Sequence, residues 1–389
     1  MGKKKKYKLN TIMKRLTILL WLAGILLFSG CKSKNAVSTA DFTKKVYIPE
    51  YASGFEIAGT DGGQSTLIRI FNPWQGAKDV EMSYFVARNG EKAPRDFEGV
   101  TIPAGARRIV CMSSSYIAML DALEQTDRIV GVSGMDYISN PYVIAHKATL
   151  KDMGPEMNYE LLASLAPDLV LLYGIGDAQA TTTDKLKELG IPYMYVGEYL
   201  EESPLGKAEW LVAVAELTDS REKGKAVFQA IPKRYNALKQ LTAGTGERPT
   251  VMLNTPWNDS WVVPSVKNYV VQLITDAGGD YIYKKNTSSS SQSIGLETAY
   301  GLIREADVWL HVGMATTLDE LKAMNPQFSD AKAIREGQVY NNNLRLTAGG
   351  GNDYWESAVV RPDIVLRDLI HIFHPELITD TLYYYRHLK

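Results

Sequence analysis

His371 and His374 stand three residues apart near the end of the chain, and imidazoles at that spacing on one helix face can share a metal ion. The preferred reading is a helix C-terminus, whose dipole two histidines complement. Gly174-Ile-Gly176 lacks the third glycine of a dinucleotide loop, and no Gly-x4-Gly-Lys-Ser/Thr run is present to cradle phosphate. No serine and histidine are spaced as a nucleophile pair. The two cysteines, Cys31 and Cys111, build neither a disulfide framework nor an all-cysteine metal site. Cys111 falls in an apolar strand and packs as a small hydrophobe. The chemistry left is non-covalent recognition. Its candidates are Ser114, Tyr116, Tyr137, Tyr173, Tyr199, Trp257, Trp261 and Arg345, which fall where strands give way to loops. Tyrosine and tryptophan offer flat apolar area with a polar tip, and arginine pairs with carboxylates.

The elements that position these residues begin after an address. Residues 1–30 carry seven positive charges and no acid, and Leu16–Phe28 is a 13-residue apolar run. A spanning helix needs about 20 apolar residues, so the run reads as a signal-peptide core. It closes on Leu27-Phe28-Ser29-Gly30-Cys31, which resembles a lipoprotein cleavage box. That likeness implies cleavage before Cys31, a lipidated thiol, and residues 31–42 as a polar tether.

Residues 43–106 alternate as strands do, in Thr66–Phe71 and Val80–Val86, with Asp61-Gly62-Gly63 and Asn89-Gly90 as turns. They read as a small β-meander. From 107 to 204 the pattern changes to strand–helix alternation: strands at Arg108–Met112, Ile129–Val132, Asp168–Tyr173 and Ile191–Val196, helices begun by Ser113 and Asn158 as N-caps. Residues 205–242 are helical with no strand between. The same alternation resumes over 243–389, with strands at Thr250–Asn254, Asp307–Val312 and Gln338–Tyr340, a polar loop at Thr287–Ser293 and a terminal helix at Val359–Phe373. The fold class is α/β: two Rossmann-like lobes, each with a parallel sheet, joined by a long helix and preceded by the meander. Open sheets of this kind bind at the carboxyl ends of their strands. Besides the residues above, Asp136, Glu198, Asn254, His311, Gly313-Met314 and Asn341–Arg345 lie there, and Asn352–Trp355 lines the cleft or pins the last helix.

Composition narrows the function. Hydrophobic residues make up 45% and charged ones 22%, an ordinary globular balance. Without the first 30 residues, 36 basic face 44 acidic residues, a poor match to nucleic acid.

Arg108-Ile-Val…Ser113, Asp127-Arg-Ile-Val-Gly-Val132, Asn158-Tyr-Glu160…Leu165-Ala-Pro-Asp-Leu-Val170, Leu189-Gly-Ile-Pro192, Ala277-Gly-Gly279 and Gly337-Gln-Val-Tyr340 together resemble the class III substrate-binding proteins of ABC importers, the ferric-siderophore, haem and vitamin B12 group. The likeness covers about 107–375. It implies a monomeric, lipid-anchored receptor outside the cytoplasm that binds a metal chelate between its lobes and hands it to permease subunits. No covalent cofactor and no catalysis are implied. Iron siderophore or haem is the first expectation, a corrinoid the second, and a zinc or manganese receptor a third. The likeness also implies that Glu160 and Glu297, one per lobe, dock onto permease arginines, and that a rigid joining helix limits closure to a small motion. Two other classes stay open: an envelope chelatase, and an interaction module that uses the meander.

Overall fold

The computed structural model describes residues 37–174 and 179–389, so the apolar run and Cys31 lie outside the described residues. The chain divides into two units. In the small one, Met1–Asp41 with Pro94–Phe97, the Asp96 carboxylate accepts from Ser38 Oγ at 2.7 Å, the Thr39 amide at 3.1 Å and Thr39 Oγ1 at 2.7 Å. Those donors hold its carboxyl down at about 2. The large unit, Phe42–Ala93 with Glu98–Lys389, carries everything below.

Its first sheet is the expected meander, β1 (Lys44–Tyr47), β2 (Phe55–Gly59), β3 (Thr66–Phe71) and β4 (Glu81–Ala87), with β5 (Val100–Pro103) added in parallel to β4. The registers Phe55↔Ile70, Ile57↔Ile68 and Ile68↔Tyr84 put alternate residues on one buried face. That is the strand period of two at work.

The first lobe holds β6 (Ile109–Cys111), α1 (Ser114–Ala122), β7 (Ile129–Val132), α2 (Pro141–Ala145), β8 (Lys151–Asp152), α3 (Tyr159–Leu165), β9 (Leu169–Leu172), α4 (Gln179–Glu188) and β10 (Tyr193–Tyr195). Its sheet runs β10-β9-β6-β7-β8, every pairing parallel. All four residues of β9 are buried, as a strand covered on both faces requires. Ser113 and Asn158 cap α1 and α3, as their types predict. Strand order reverses between β6 and β9, which opens a crevice beyond Ser113 and Tyr173.

Two helices join the lobes. In α5 (Pro204–Leu217) every residue but Lys207 is buried. The 21-residue α6 (Arg221–Leu241) is about 30 Å long. Its start lies against α5, where a Cβ on Gly224 would come within 2.4 Å of the Ala215 methyl. Its end is tied to the second lobe by Tyr235 Oη to Asp276 at 2.8 Å and by the Arg234–Asp363 and Lys239–Asp276 ion pairs at 2.5 and 2.8 Å. One helical rod, interrupted in its hydrogen-bond ladder only at Pro232, thus bridges both lobes.

The second lobe comprises β11 (Thr250–Leu253), β12 (Pro256–Trp257), β13 (Ser260–Val263), α7 (Tyr269–Asp276), β14 (Asp280–Tyr281), β15 (Gln292–Gly295), α8 (Leu296–Ile303), β16 (Val308–Leu310), α9 (Leu318–Met324), α10 (Lys332–Arg335), β17 (Val339–Asn341), α11 (Pro362–Phe373) and β18 (Arg386–His387). Its main sheet is β14-β11-β16-β17-β18, with only β18 antiparallel. Two expectations are corrected here. The end of the polar loop is strand β15, because Ser293 and Ile294 pair with Val262 and Trp261 of β13. The terminal helix starts at Pro362; Ser357–Val360 is a separate 3₁₀ turn and Arg361 has φ −133. Proline offers no N–H to the turn before it and bars helical backbone at the preceding residue.

Three buried glutamates fasten the first sheet to α5 and its approach. Glu209 accepts from Tyr47 Oη at 2.6 Å and from the amides of Glu50, Tyr51 and Ala52 at 2.9, 2.7 and 2.8 Å. Glu201 takes the Gly54 amide at 3.0 Å and the Trp210 indole at 2.8 Å. Glu216 pairs with Arg88 and Arg221, both at 2.8 Å.

Candidate ligand cleft

A cavity of about 380 Å³ lies between the lobes at the carboxyl ends of the first lobe's strands. Ser113 and Ser115 reach it from the start of α1, Glu198 and Tyr199 from the turn after β10, and Lys207 from the first turns of α5. The second lobe supplies Tyr269 at the start of α7, and Trp355. Ser115 Oγ donates to Glu198 Oε1 at 2.6 Å. Lys207 Nζ donates to the Glu198 carbonyl at 3.3 Å and sits 4.4 Å over the Tyr269 ring, a cation–π contact. Burial pushes the Glu198 carboxyl up and the Lys207 ammonium down, since each charged form loses hydration.

His311 steadies the aromatic wall. It follows β16 with φ +59, a left-handed backbone that β-strand ends adopt at a local cost. Its Nε2 lies 2.8 Å from Tyr385 Oη, and Tyr354 stands edge-on at 5.5 Å. Burial lowers its imidazole to about 4, so it is neutral at pH 7.

The segment 353–360 is a partition. Tyr354, Trp355, Ala358 and Val359 face this cavity, while Asp353, Glu356, Ser357 and Val360 face a second one of about 470 Å³. There Glu356 Oε2 accepts the Ser139 amide of the first lobe at 2.9 Å. Burial pushes the Glu356 carboxyl up to about 7, against an ordinary 4.5. The folded chain therefore holds one extra proton between those values. Its stability contribution is full below the lower value and is lost as pH rises through the upper. The expected loss between pH 5 and 8 is about 2–3 kcal/mol. Urea unfolding of wild type against Glu356→Gln across that range checks it, with the variant lacking this component.

The residues expected from sequence separate into four places. Tyr199 lines the cavity, its hydroxyl donating to the Gly174 carbonyl, and Ser114 is half-buried between the two serines that face it. Tyr137, Tyr173 and Trp257 are 69%, 42% and 76% exposed, in the 3₁₀ turn after β7, the loop after β9 and the short strand β12 after β11. Tyr116 and Trp261 are corrected to core positions. The Tyr116 hydroxyl bonds the Leu172 and Val196 carbonyls, both at 3.0 Å, and the Trp261 indole bonds the Leu253 carbonyl at 2.8 Å against Trp309 and Phe328. Arg345 lies in the second cavity, where Asp353 at 2.7 Å already takes its charge and Tyr383 lies beneath it.

Glu160 and Glu297 are exposed in the first turns of α3 and α8, and neither makes an ion pair among the described residues. His371 and His374 turn to different carbonyls, Ile378 at 2.8 Å and Gly278 at 3.3 Å, so each ring is engaged locally. Sequence reasoning missed Lys207 and Tyr269. The one basic residue in a mostly apolar helix was the available signal for the first.

The family model of periplasmic binding proteins matches residues 109–343. An uncharacterized lipoprotein of Methanocaldococcus jannaschii is 26% identical over 365 residues, covering 88% of this chain and 83% of its own. A periplasmic binding protein from Veillonella parvula aligns with a TM-score of 0.59 at 16% identity, over 80% of this chain and 99% of its own. A periplasmic heme binding protein from Pseudomonas aeruginosa aligns with a TM-score of 0.57 at 15% identity, over 73% of this chain and 98% of its own. At such identities the structural likeness is one of fold.

Proposed function

The chain belongs to the periplasmic binding protein family, and from that premise we propose that it is the lipid-anchored substrate-binding component of an ABC importer. In this reading it captures a metal chelate, an iron siderophore or haem, between its lobes and delivers it to the permease without breaking a bond. The observation that carries the reading is the 380 Å³ cavity at the strand ends, walled by Tyr199, Tyr269 and Trp355. A volume of that order suits a small-molecule site, and aromatic walls suit a flat, partly apolar ligand. A corrinoid is the second reading, favoured by the polar floor at Glu198 and Lys207. The cleavage box at Cys31 and the lipoprotein relative support the anchor and an extracytoplasmic site. No helix of the described residues is long and apolar enough to cross a membrane.

Titration of the soluble chain from Lys32 onward with ferric siderophores, haemin and cyanocobalamin tests the reading by tryptophan fluorescence. Saturable quenching by one chelate is expected, carried by Trp355 and reduced in Trp355→Phe. A response to zinc or manganese salts alone, or to nothing, sinks it.

Glu160 and Glu297 are proposed to dock onto permease cations, since exposed unpaired charges steer encounter and fix orientation. Reversing both to Lys should cut uptake in reconstituted vesicles at least about tenfold while chelate affinity and melting temperature stay at wild-type values, because surface changes away from a packed feature are nearly neutral. Unchanged uptake removes the docking assignment.

A further inference from the structure

The cavity floor holds a carboxylate and an ammonium that do not meet. Glu198 is 4% exposed; Ser115 Oγ occupies its Oε1, and its Oε2 has no partner. Lys207 spends one N–H on the Glu198 carbonyl and lies over the Tyr269 ring, with no carboxylate paired to it among the described residues. Both groups border the same cavity. A buried polar atom left unpaired costs free energy until something fills its valence.

The two unmet valences are opposite in kind. Oε2 needs a donor, and the ammonium needs an acceptor. Resting on the receptor reading above, we propose that Glu198 and Lys207 together read a neutral carboxamide on the ligand, its N–H going to Glu198 Oε2 and its C=O to Lys207 Nζ. A ligand carboxylate would satisfy Lys207 but set a second anion against Glu198. A ligand ammonium would reverse the fault, and a hydrocarbon would leave both groups unpaired. A primary amide carries donor and acceptor on one edge with no net charge. Sites built to hydrogen-bond a group discriminate steeply against analogues that lack it. Within the receptor reading, the floor therefore favours amide-bearing chelates, the corrinoid among them, over haem with its acid side chains.

Ser115 gives the proposal a sharp variant. In Glu198→Gln the Ser115 hydroxyl keeps the side-chain oxygen at the Oε1 position, which turns the NH₂ toward the ligand. An acceptor becomes a donor without a change of shape. The probes are cyanocobalamin, which carries primary carboxamides, its side-chain monocarboxylic acids, haemin, and ferric siderophores. Wild type should bind cyanocobalamin at least about tenfold more tightly than the monoacid altered at the floor position. Glu198→Gln should reverse that order, and Lys207→Met should weaken both probes. Thermal melting of each variant separates lost binding from lost folding. Tighter binding of haemin, which carries acids and no amide, than of cyanocobalamin, or an amide-to-acid ratio untouched by Glu198→Gln, overturns the carboxamide assignment and leaves the receptor reading standing. Silence toward every chelate overturns both.

Discussion

Replacing Glu209 with Ala should cost about 3–5 kcal/mol of stability, the range for removing a buried carboxylate from its partners. The Glu209 carboxylate is 1% exposed and makes its four hydrogen bonds to one hydroxyl and three successive backbone amides. No cation neutralises it among the described residues; the amides of residues 50–52 do so instead. Removing the carboxylate takes the shared acceptor from all four donors at once, on the buried side of α5. The exposed Lys284–Asp280 pair at 2.7 Å is the internal contrast, since breaking a surface pair costs about 1 kcal/mol or less. Urea unfolding checks the magnitude, and hydrogen exchange at residues 50–54 checks the cause. A loss below about 1 kcal/mol, or exchange unchanged there, would show that the first sheet is held by its apolar face alone.

The same contacts show why part of the fold was legible and part was not. Strand–helix alternation is local, so both parallel sheets and their N-caps could be read from Ser113, Asn158 and the apolar runs. The union of the first sheet with α5 could not. Its donors at 50–54 are backbone amides, which carry no side-chain signature, and they lie far along the chain from Glu201 and Glu209. Strand β15 was hidden for a related reason: a serine-rich stretch has the composition of a loop, and only its pairing with β13 makes it a strand. At the cleft, position relative to strand ends was legible and side-chain direction was not. Tyr116 and Tyr199 look equally suited to a ligand in sequence. One turns its hydroxyl under the sheet onto two carbonyls, and the other keeps its ring on the cavity wall. Lys207 and Glu198 gain their meaning only from being brought to the same floor by α5 and the turn after β10.

Gly351→Val should open the contact between lobes on the side of the second cavity. Residues 346–352 form a tight turn, closed by the Thr347 amide on the Gly351 carbonyl at 2.8 Å and by the Gly351 amide on Thr347 Oγ1 at 2.9 Å. This turn of the second lobe lies backbone to backbone on the first. A Cβ on Gly351 would come within 2.2 Å of the Tyr137 carbonyl oxygen, and one on Gly349 within 2.3 Å of that of Asp136. Backbone cannot yield as a long side chain can, so the turn itself must withdraw. Its withdrawal pulls on the neighbouring link, in which Ser139 donates its amide to Glu356 at 2.9 Å and its hydroxyl to Asp353 at 3.4 Å. The expected loss is about 1–3 kcal/mol, the range for overfilling a packed site. More diagnostic is the Ser139 amide, whose exchange should quicken together with residues 136–140, while α6 keeps its protection because the rod does not depend on the turn. Gly244→Val is the control, since nothing lies within 4 Å of its position. Lobes held by both a rod and a glycine clasp can part only slightly, by loosening the clasp. Chelate release should accordingly be faster in Gly351→Val than in wild type. Equal release rates together with an unchanged Ser139 amide would place control of the cleft elsewhere.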